Sequence, residues 1–507
     1  MRRRDAVIFI FILQNGKERD FVIFSSYAFI FLFLPISLIG YYAFGMFSRR
    51  ASQLWLLTTS IFFYGYWNWN FVPLLLGSIA FNYYIGTRLF RQFRTNAGDN
   101  SSKLLLTTGI VGNLALLGYF KYTGFFIGIA HELGILNGTV VDIVLPIGIS
   151  FFTFTQIAFL VDADKGRVQN LSLINYGLFV TFFPHLLAGP ILHHREMMPQ
   201  FDRKESIQAH AYNVAPGLLL FAIGLVKKVA IADQFAPLAN IGYENWALLT
   251  TTGAWLTTTA YTLQLYFDFS GYTDMALGIA LFFNIELPIN FNSPYKATDI
   301  QDFWRRWHMT LSRFLRDYLY IPLGGNQLGE LMVWRNFLLV FLLGGFWHGA
   351  GWTFVIWGAL HGMGMCVHRA WQRMGMRLPR MIAWAITILF IHITWIPFRS
   401  KTFVQSWTMT GKLFCIHGDQ HSEIGIIGLI DKVAQSSQTI FFRDSISESY
   451  ILYMTLFFGC IVVFAPNSGE LRSRFKPGWI AACAVGGGIG FSIILLSRVS
   501  EFLYFNF

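Results

Sequence analysis

The chain has 507 residues, of which 54% are apolar, 18% aromatic and only 13% charged, and its formal net charge is +11. Soluble domains carry about 25% charged residues, so this composition excludes an ordinary soluble protein and predicts one that crosses a membrane several times. The excess of Lys and Arg is typical of cytoplasmic loops and does not require a nucleic acid partner. The four cysteines contain no CxxC pair, which argues against a disulfide framework or a zinc site.

The first twenty residues differ from the rest of the chain. The basic cluster Arg2 to Arg4 and the apolar residues after it resemble a signal peptide, but no small-residue cleavage site follows. We therefore expect residues 1–20 to be an N-terminal extension outside the core, with a cleaved signal as the alternative. Residues 21–507 are expected to form a single membrane domain.

Apolar stretches long enough to cross a bilayer recur along the chain. A spanning helix needs about 20 mostly apolar residues, and the candidates centre on 24–45, 52–67, 71–87, 104–121, 143–161, 173–191, 214–232, 252–284, 334–348, 352–368, 381–397, 450–465 and 479–497. The pattern predicts an all-α integral membrane protein with about 11–13 hydrophobic helices, some of them re-entrant or interfacial. The stretch 252–284 is too long for one span, so we expect a bend near Gly271.

Basic residues predict which loops are cytoplasmic. They fall in alternate loops, as the positive-inside rule requires, at Arg49-Arg50, 88–103, Lys165 to Arg167 and 472–476. This orientation places the start of the chain outside, which the cluster at residues 2–4 contradicts. Either residues 1–20 are not part of the natural start of the chain or the predicted orientation is wrong, and we favour the first explanation.

Several polar residues lie inside or beside apolar stretches. We expect Gln156 and Asp162 to be polar contacts within the helix bundle, and we expect the segment 183–190, which Pro and Gly interrupt, to be architectural. Asp268 and Asp274 flank Gly271 in an aromatic stretch, where they either cap helices at the predicted break or serve the chemistry.

The densest candidate site runs from Asp302 to Asp317, with the sequence DFWRRWHMTLSRFLRD. On one continuous helix the acids and bases of this segment share a side, so that Asp302–Arg306 and Arg313–Asp317 pairs are expected at i,i+4 spacing. His308 then lies on the opposite, apolar side. It is either a catalytic histidine or a core histidine bonded to a backbone carbonyl, and the helix as a whole could instead be interfacial.

A second candidate is His348, in the sequence GGFWHGAGW from Gly344 to Trp352. An ionisable residue inside an apolar segment is costly and therefore a functional candidate. The alternative is a helix contact made by small residues, Gly345 with Gly349 and Gly358 with Gly362, that happens to contain a histidine. His361 lies on the same segment and is left unassigned.

A buried histidine can act as a general base, since its ordinary pKa is about 6.5. An acyl thioester is already activated, so its transfer to a hydroxyl mainly requires removal of the hydroxyl proton. The sequence contains no GxSxG, HExxH, P-loop or GxGxxG motif, so several other chemistries are disfavoured.

Taken together in their order along the chain, these segments resemble the membrane-bound O-acyltransferase family, and within it the branch that O-acetylates alginate. The resemblance starts at about residue 21 and reaches the C-terminus. It is carried by the phenylalanine-rich first span with Ser25-Ser26 and by the segments 145–154, 183–190, 266–274, 290–325 and 344–362.

The resemblance implies a ring of helices around a funnel, with a tunnel that contains the catalytic histidine. It identifies His348 as the family's catalytic histidine and His308 as the second histidine of its RRWH segment. It also implies acetyl-CoA as a cytoplasmic donor, no metal, residence in the bacterial inner membrane, and extracytoplasmic acetyltransferase partners that complete the transfer to the polysaccharide.

The resemblance leaves the acceptor open. Alginate is the first choice, and peptidoglycan and cellulose are the alternatives. Two functions of another class also fit intramembrane His and Asp residues: a proton-coupled transporter or flippase, and a scaffold of a polysaccharide export complex. No internal repeat is visible, and this argues against a transporter.

Overall fold

The computed structural model describes residues 23–95, 99–136, 143–416, 423–435, 448–496 and 503. Within these ranges the chain is helical and forms no β-strand beyond an isolated bridge between Leu249 and Ile424. The predicted all-α membrane fold is confirmed. The predicted extension, residues 1–20, lies outside the described residues.

The α-helices are numbered here in chain order. Helices α1 to α7 are Leu34–Gly45, Arg49–Trp67, Val72–Arg94, Asp99–Glu132, Ile149–Asp164, Leu173–Thr181 and Phe183–Leu186. Helices α8 to α14 are His194–Phe201, Ala211–Leu225, Asp233–Glu244, Thr251–Phe282, Ile300–Arg306, Met309–Leu315 and Glu330–His348. Helices α15 to α21 are Trp352–Arg373, Arg380–Arg399, Phe403–Leu413, Ile426–Gln435, Glu448–Phe464, Ser468–Arg474 and Trp479–Leu495. Three π-helical segments, Phe29–Phe33, Val226–Ala232 and Arg316–Tyr320, adjoin α1, α9 and α13.

The outer surface of the molecule is apolar. Large hydrophobic side chains such as Ile39, Leu104 and Ile494 are exposed, and lipid is the environment that suits them. Within the described ranges, four helical stretches are long and apolar enough to cross a bilayer, or five if a pair bent by 59° counts as one. They are Asn100–Glu132, Ala211–Glu244, Glu330–His348 and Arg380–Arg399, and the bent pair joins Ile451–Phe464 to Ser468–Arg474.

Helix α11 corrects one prediction. It continues unbroken for 32 residues from Thr251 to Phe282, so the expected break near Gly271 is wrong. Gly271 instead permits a close helix crossing, because a Cβ there would lie 2.8 Å from the Gly224 carbonyl oxygen on α9.

The two carboxylates of α11 do not cap a broken helix. Asp268 lies 2.8 Å from the ammonium of Lys228, and Asp274 lies 2.7 Å from that of Lys227. Both lysines are on the π-helical segment Val226–Ala232. Burying a carboxylate is costly unless a cation pairs with it, so these pairs give the two acids a structural role.

Two of the basic loops, at residues 49 and 472, lie on one side of the molecule. Gln200 on α8 donates to the Glu286 backbone carbonyl at 2.9 Å, and the Glu286 carboxylate pairs with Arg472 at 2.8 Å. Arg49 contacts Asp202, which directly follows α8. The loops at residues 49 and 472 therefore share a face with α8. We call this face the basic face.

Candidate active site

His348 is the last residue of α14 and is buried, with 6% of its surface exposed. Its ring is surrounded by aromatic rings, with centroid distances of 4.9 Å to Trp347, 5.2 Å to Trp357 and 5.2 Å to Phe398. The chain continues in an extended conformation through Gly349 before α15 begins at Trp352.

The glycines on both sides of His348 pack helices together. A Cβ on Gly345 would lie 2.3 Å from the Phe354 carbonyl oxygen, and one on Gly358 would lie 2.3 Å from the Phe341 carbonyl oxygen. A Cβ on Gly349 would lie 2.1 Å from the Phe354 ring. The small-residue helix contact considered as an alternative is therefore present, and it holds α14 against α15 on either side of the histidine.

His308 lies at a break between two short helices. Helix α12 ends at Arg306 and α13 begins at Met309, and His308 between them has a φ of 43° in the left-handed region. A residue with a Cβ adopts this conformation only where its surroundings enforce it, and such residues cluster at functional sites. The expectation of one continuous helix from Asp302 to Asp317 is therefore wrong.

The break at His308 changes the ion pairs predicted for the segment from Asp302 to Asp317. The predicted Asp302–Arg306 pair is present at 2.8 Å. The predicted Arg313–Asp317 pair is absent, because Arg313 forms a two-bond pair with Glu196 on α8 and Asp317 pairs with Arg316 at 2.7 Å. The second pairing was missed because it depends on a residue 117 positions away in the chain.

Asn290 holds the break in place, and the sequence did not single it out. Its Oδ1 accepts from the Thr310 backbone N–H at 3.1 Å and from the Thr310 hydroxyl at 2.9 Å, and it lies 3.2 Å from His308 Nδ1. Because the backbone N–H can only donate, the Asn290 atom is an oxygen and His308 Nδ1 must carry the proton. A neutral His308 ring therefore presents Nε2 as its basic nitrogen.

The two candidate histidines meet in the tertiary structure. Their ring centroids are 6.4 Å apart, although the residues are 40 positions apart in sequence. Both line a small buried cavity of about 10 Å³, which is about enough for one water molecule. The other residues that line this cavity are Leu265, Phe269, Trp307, Trp357, Trp395 and Phe398. We call it the histidine cavity. The expected proximity of His308 and His348 is confirmed, while their catalytic roles stay predictions.

A larger pocket of about 680 Å³ lies beside the histidine cavity. Its basic side chains are Arg305, Arg313, Arg316, His368 and Arg369, and we call it the basic pocket. Trp304 lines it and packs at 5.8 Å against Trp357, which lines the histidine cavity. One layer of aromatic side chains therefore separates the two spaces.

The basic pocket lies toward the basic face. Arg313 in its wall is bound to Glu196 on α8, the helix that carries Gln200 and adjoins the basic loops. An anion that approaches from this side meets these basic side chains before it reaches the histidines, although Arg313, Arg316 and Arg369 also pair with carboxylates.

Gln156 and Asp162, both on α5, are buried and form polar networks. Gln156 bonds Ser78 and Tyr176, so its expected role as a bundle contact is confirmed. Asp162 accepts from the Tyr318 hydroxyl at 2.9 Å and lies 3.3 Å from His194 Nδ1. These contacts attach the π-helical segment behind the basic pocket to the body of the protein.

His361, which the sequence left unassigned, lies behind Trp304. The Trp304 Nε1–H donates to His361 Nδ1 at 3.2 Å, and the imidazole is fully buried. This bond fixes the indole that separates the two cavities. Within the described residues, no group of three or more His, Cys, Asp and Glu side chains could hold a metal ion.

A model of MBOAT, the membrane-bound O-acyltransferase family, matches residues 21–398, most of the chain and both histidines. The chain belongs to this family. The peptidoglycan O-acetyltransferase of Helicobacter pylori is 42% identical, and the alignment covers 96% of this chain and 98% of that protein. A probable alginate O-acetylase of Pseudomonas aeruginosa is 42% identical over 80% of this chain and 77% of its own length. A teichoic acid D-alanyltransferase of Lacticaseibacillus rhamnosus is 28% identical over 60% of this chain.

Membership in the membrane-bound O-acyltransferase family makes this chain a membrane-embedded enzyme that transfers acyl groups. The matched region contains α1 to α15, the histidine cavity and the basic pocket, and it ends within α16 at residue 398.

Proposed function

We propose that this enzyme takes acetyl groups from cytoplasmic acetyl-CoA and passes them across the bacterial inner membrane for the O-acetylation of an extracytoplasmic polysaccharide. One observation carries the proposal: His308 and His348 line a single buried cavity next to a basic pocket of about 680 Å³. The basic pocket lies toward the loops that the positive-inside rule predicts to be cytoplasmic.

The charge of the donor suits the basic pocket, and the narrowness of the histidine cavity limits the size of the acyl group. The phosphates of coenzyme A are attracted to an arginine-rich pocket, where guanidinium groups bind phosphate oxygens in pairs. The histidine cavity measures only about 10 Å³, room for about one water molecule, so the side chains of its aromatic wall must move to admit an acyl group. It favours a small acyl group, which supports acetyl over longer chains.

The proposed step uses His348 as the general base. A ring nitrogen of His348 takes the proton of the acceptor hydroxyl while the hydroxyl oxygen attacks the thioester carbonyl carbon. A new C–O bond forms, the C–S bond breaks, and the departing thiolate takes the proton back from the imidazolium. The products are an acetyl ester and the free thiol of coenzyme A. His308, whose Nδ1–H is bound to Asn290, orients a reactant through its other ring nitrogen.

We infer that the polysaccharide is reached indirectly. The histidine cavity is buried and closed by aromatic rings, so a sugar polymer has no room there. This supports hand-over of the acetyl group to an extracytoplasmic acetyltransferase partner, which then modifies the polysaccharide.

The similarity to known relatives suggests two candidate polysaccharides as the final acceptor of the acetyl group. We favour peptidoglycan, because similarity to the peptidoglycan O-acetyltransferase extends over nearly the full length of both chains. Alginate is the second candidate, supported by 42% identity over 80% of this chain. The two are separated by deleting the gene and measuring base-labile acetate on purified peptidoglycan and on secreted polysaccharide. Loss from the peptidoglycan alone supports the first, and loss from a secreted uronic acid polymer alone supports the second.

The cross-membrane step is tested in sealed inside-out vesicles that contain the protein and its partner, with labelled acetyl-CoA supplied outside. Label on a lumenal acceptor, lost in His348→Ala, supports the proposal. Label confined to acceptors on the donor side contradicts cross-membrane transfer. Label that persists in a well-folded His348→Ala variant contradicts the assignment of the base.

A further inference from the structure

A partly buried lysine lies against the end of the helix that carries His348. Lys121 lies on α4, inside the apolar stretch Asn100–Glu132. Its ammonium donates to the carbonyl oxygens of Trp347 at 2.5 Å and of His348 at 3.1 Å. It also lies 3.4 Å from the Ser150 hydroxyl and 5.8 Å from the centre of the Trp347 ring.

Placing the ammonium of Lys121 in an apolar segment costs free energy. None of the ion pairs in the described part of the chain involves Lys121, so no carboxylate there offsets the partial burial of its ammonium. An unpaired charge inside a membrane segment is unfavourable, and such residues mark functional positions.

The ammonium of Lys121 compensates the partial negative charge at the C-terminal end of α14. The last carbonyl groups of a helix have no partner within the helix and carry a partial negative charge, which a cation at this end stabilises. Glycines then follow His348, and the backbone bond that closes the last turn, from Gly349 N to Gly345 O, is long at 3.4 Å. Lys121 therefore supplies a fixed contact at the residue whose side chain enters the histidine cavity.

We propose that Lys121 is a positioning residue for the acyl transfer: it holds the last turn of α14 so that the His348 ring stays aimed into the histidine cavity. The inference rests on the proposed function, in which His348 is the base. It concerns orientation, and the ammonium itself does not contact the reactants.

A neighbouring residue provides a matched control. The Tyr122 hydroxyl donates to the Phe346 carbonyl oxygen at 2.9 Å, and its ring stacks on Phe346 with centroids 4.2 Å apart. Tyr122→Phe thus removes one bond between the same two helices, while both carbonyls bound by Lys121 keep their partner.

The experiment compares Lys121→Met, Lys121→Arg and Tyr122→Phe in purified, folded enzyme, with kcat and KM for acetyl-CoA and the thermal unfolding temperature measured for each. A small displacement of a catalytic group costs up to about 100-fold in rate, so kcat of Lys121→Met should fall by about 10- to 100-fold. KM should change by less than about 2-fold, because the basic pocket is intact, and Lys121→Arg should recover most of the loss. Tyr122→Phe should stay within about 2-fold of the wild-type kcat.

Three results overturn the inference. They are a wild-type kcat in folded Lys121→Met, an equal loss in Tyr122→Phe, which would indicate general bracing of the two helices, and a loss confined to KM. If Lys121→Met does not accumulate, Lys121→Leu takes its place, because it also lacks a donor, and a wild-type kcat in that variant is equally decisive. A fourth variant, His348→Ala, distinguishes failure of the Lys121 inference from failure of the proposed function. Full activity in this variant contradicts the assignment of His348 as the base, whatever the Lys121 variants show.

Discussion

Replacing Asn290 by Ala tests whether the break at His308 is enforced by its surroundings. The Asn290 Oδ1 is the shared acceptor for three groups, the Thr310 backbone N–H, the Thr310 hydroxyl and His308 Nδ1, at 2.9–3.2 Å. Asn290 and His308 are both buried, so water does not replace the lost acceptor.

The magnitude follows from these contacts. At about 1 kcal/mol for each of the three bonds, the free energy of unfolding falls by about 3 kcal/mol. The left-handed conformation of His308, with a φ of 43°, costs about 1–3 kcal/mol and then lacks its main compensation. We expect the segment to relax, the His308 ring to leave its position, and kcat to fall together with stability.

The assay measures thermal unfolding in detergent and kcat with acetyl-CoA for two variants and a control. Asn290→Asp keeps the acceptor oxygen and replaces the Nδ2 group, which has no hydrogen-bond partner within the described residues, so it should be less damaging than Asn290→Ala. The control, Asn82→Ala, removes a buried asparagine that exchanges bonds with Asn113 and bonds the Ser78 carbonyl, outside the site. It should lose stability and keep its kcat.

Two outcomes would refute this argument. If Asn290→Ala unfolds at the wild-type temperature, the three bonds do not hold the break. If its kcat falls no further than that of Asn82→Ala, the conformation of His308 has no bearing on transfer.

Three further predictions concern the site itself. His348→Ala should insert and accumulate normally while activity falls by about 10²–10⁴-fold, and retained transfer would exclude it as the base. Arg305→Gln, in the wall of the basic pocket, should raise KM for acetyl-CoA and leave kcat within about 2-fold; an unchanged KM at low salt would place the donor elsewhere. Phe398→Ala should enlarge the histidine cavity and raise turnover of butyryl-CoA relative to acetyl-CoA, whereas an unchanged ratio would show that this ring does not limit acyl size.

The sequence by itself determined the class of the protein and the two histidines. Composition alone requires a lipid environment, because 54% apolar and 13% charged residues cannot cover a soluble surface. His348 was recognisable because an ionisable residue stands out in an apolar segment, and the ordered motifs identified the family. The Asp302–Arg306 pair was also predictable, since i,i+4 neighbours meet on any helix.

The tertiary structure decided everything that depends on contacts between distant residues. Helical periodicity assumes that the backbone bonds only to itself, so it could not predict a break at His308 that Asn290 imposes from 18 positions away. Glycine was expected to break α11 at Gly271, but a neighbouring backbone fills the space beside it and the helix continues. Lys121 was visible in the sequence as a charge in a span, yet its contact with His348, 227 positions away, arises only when α4 packs against the end of α14 and the helix carbonyls there require a donor.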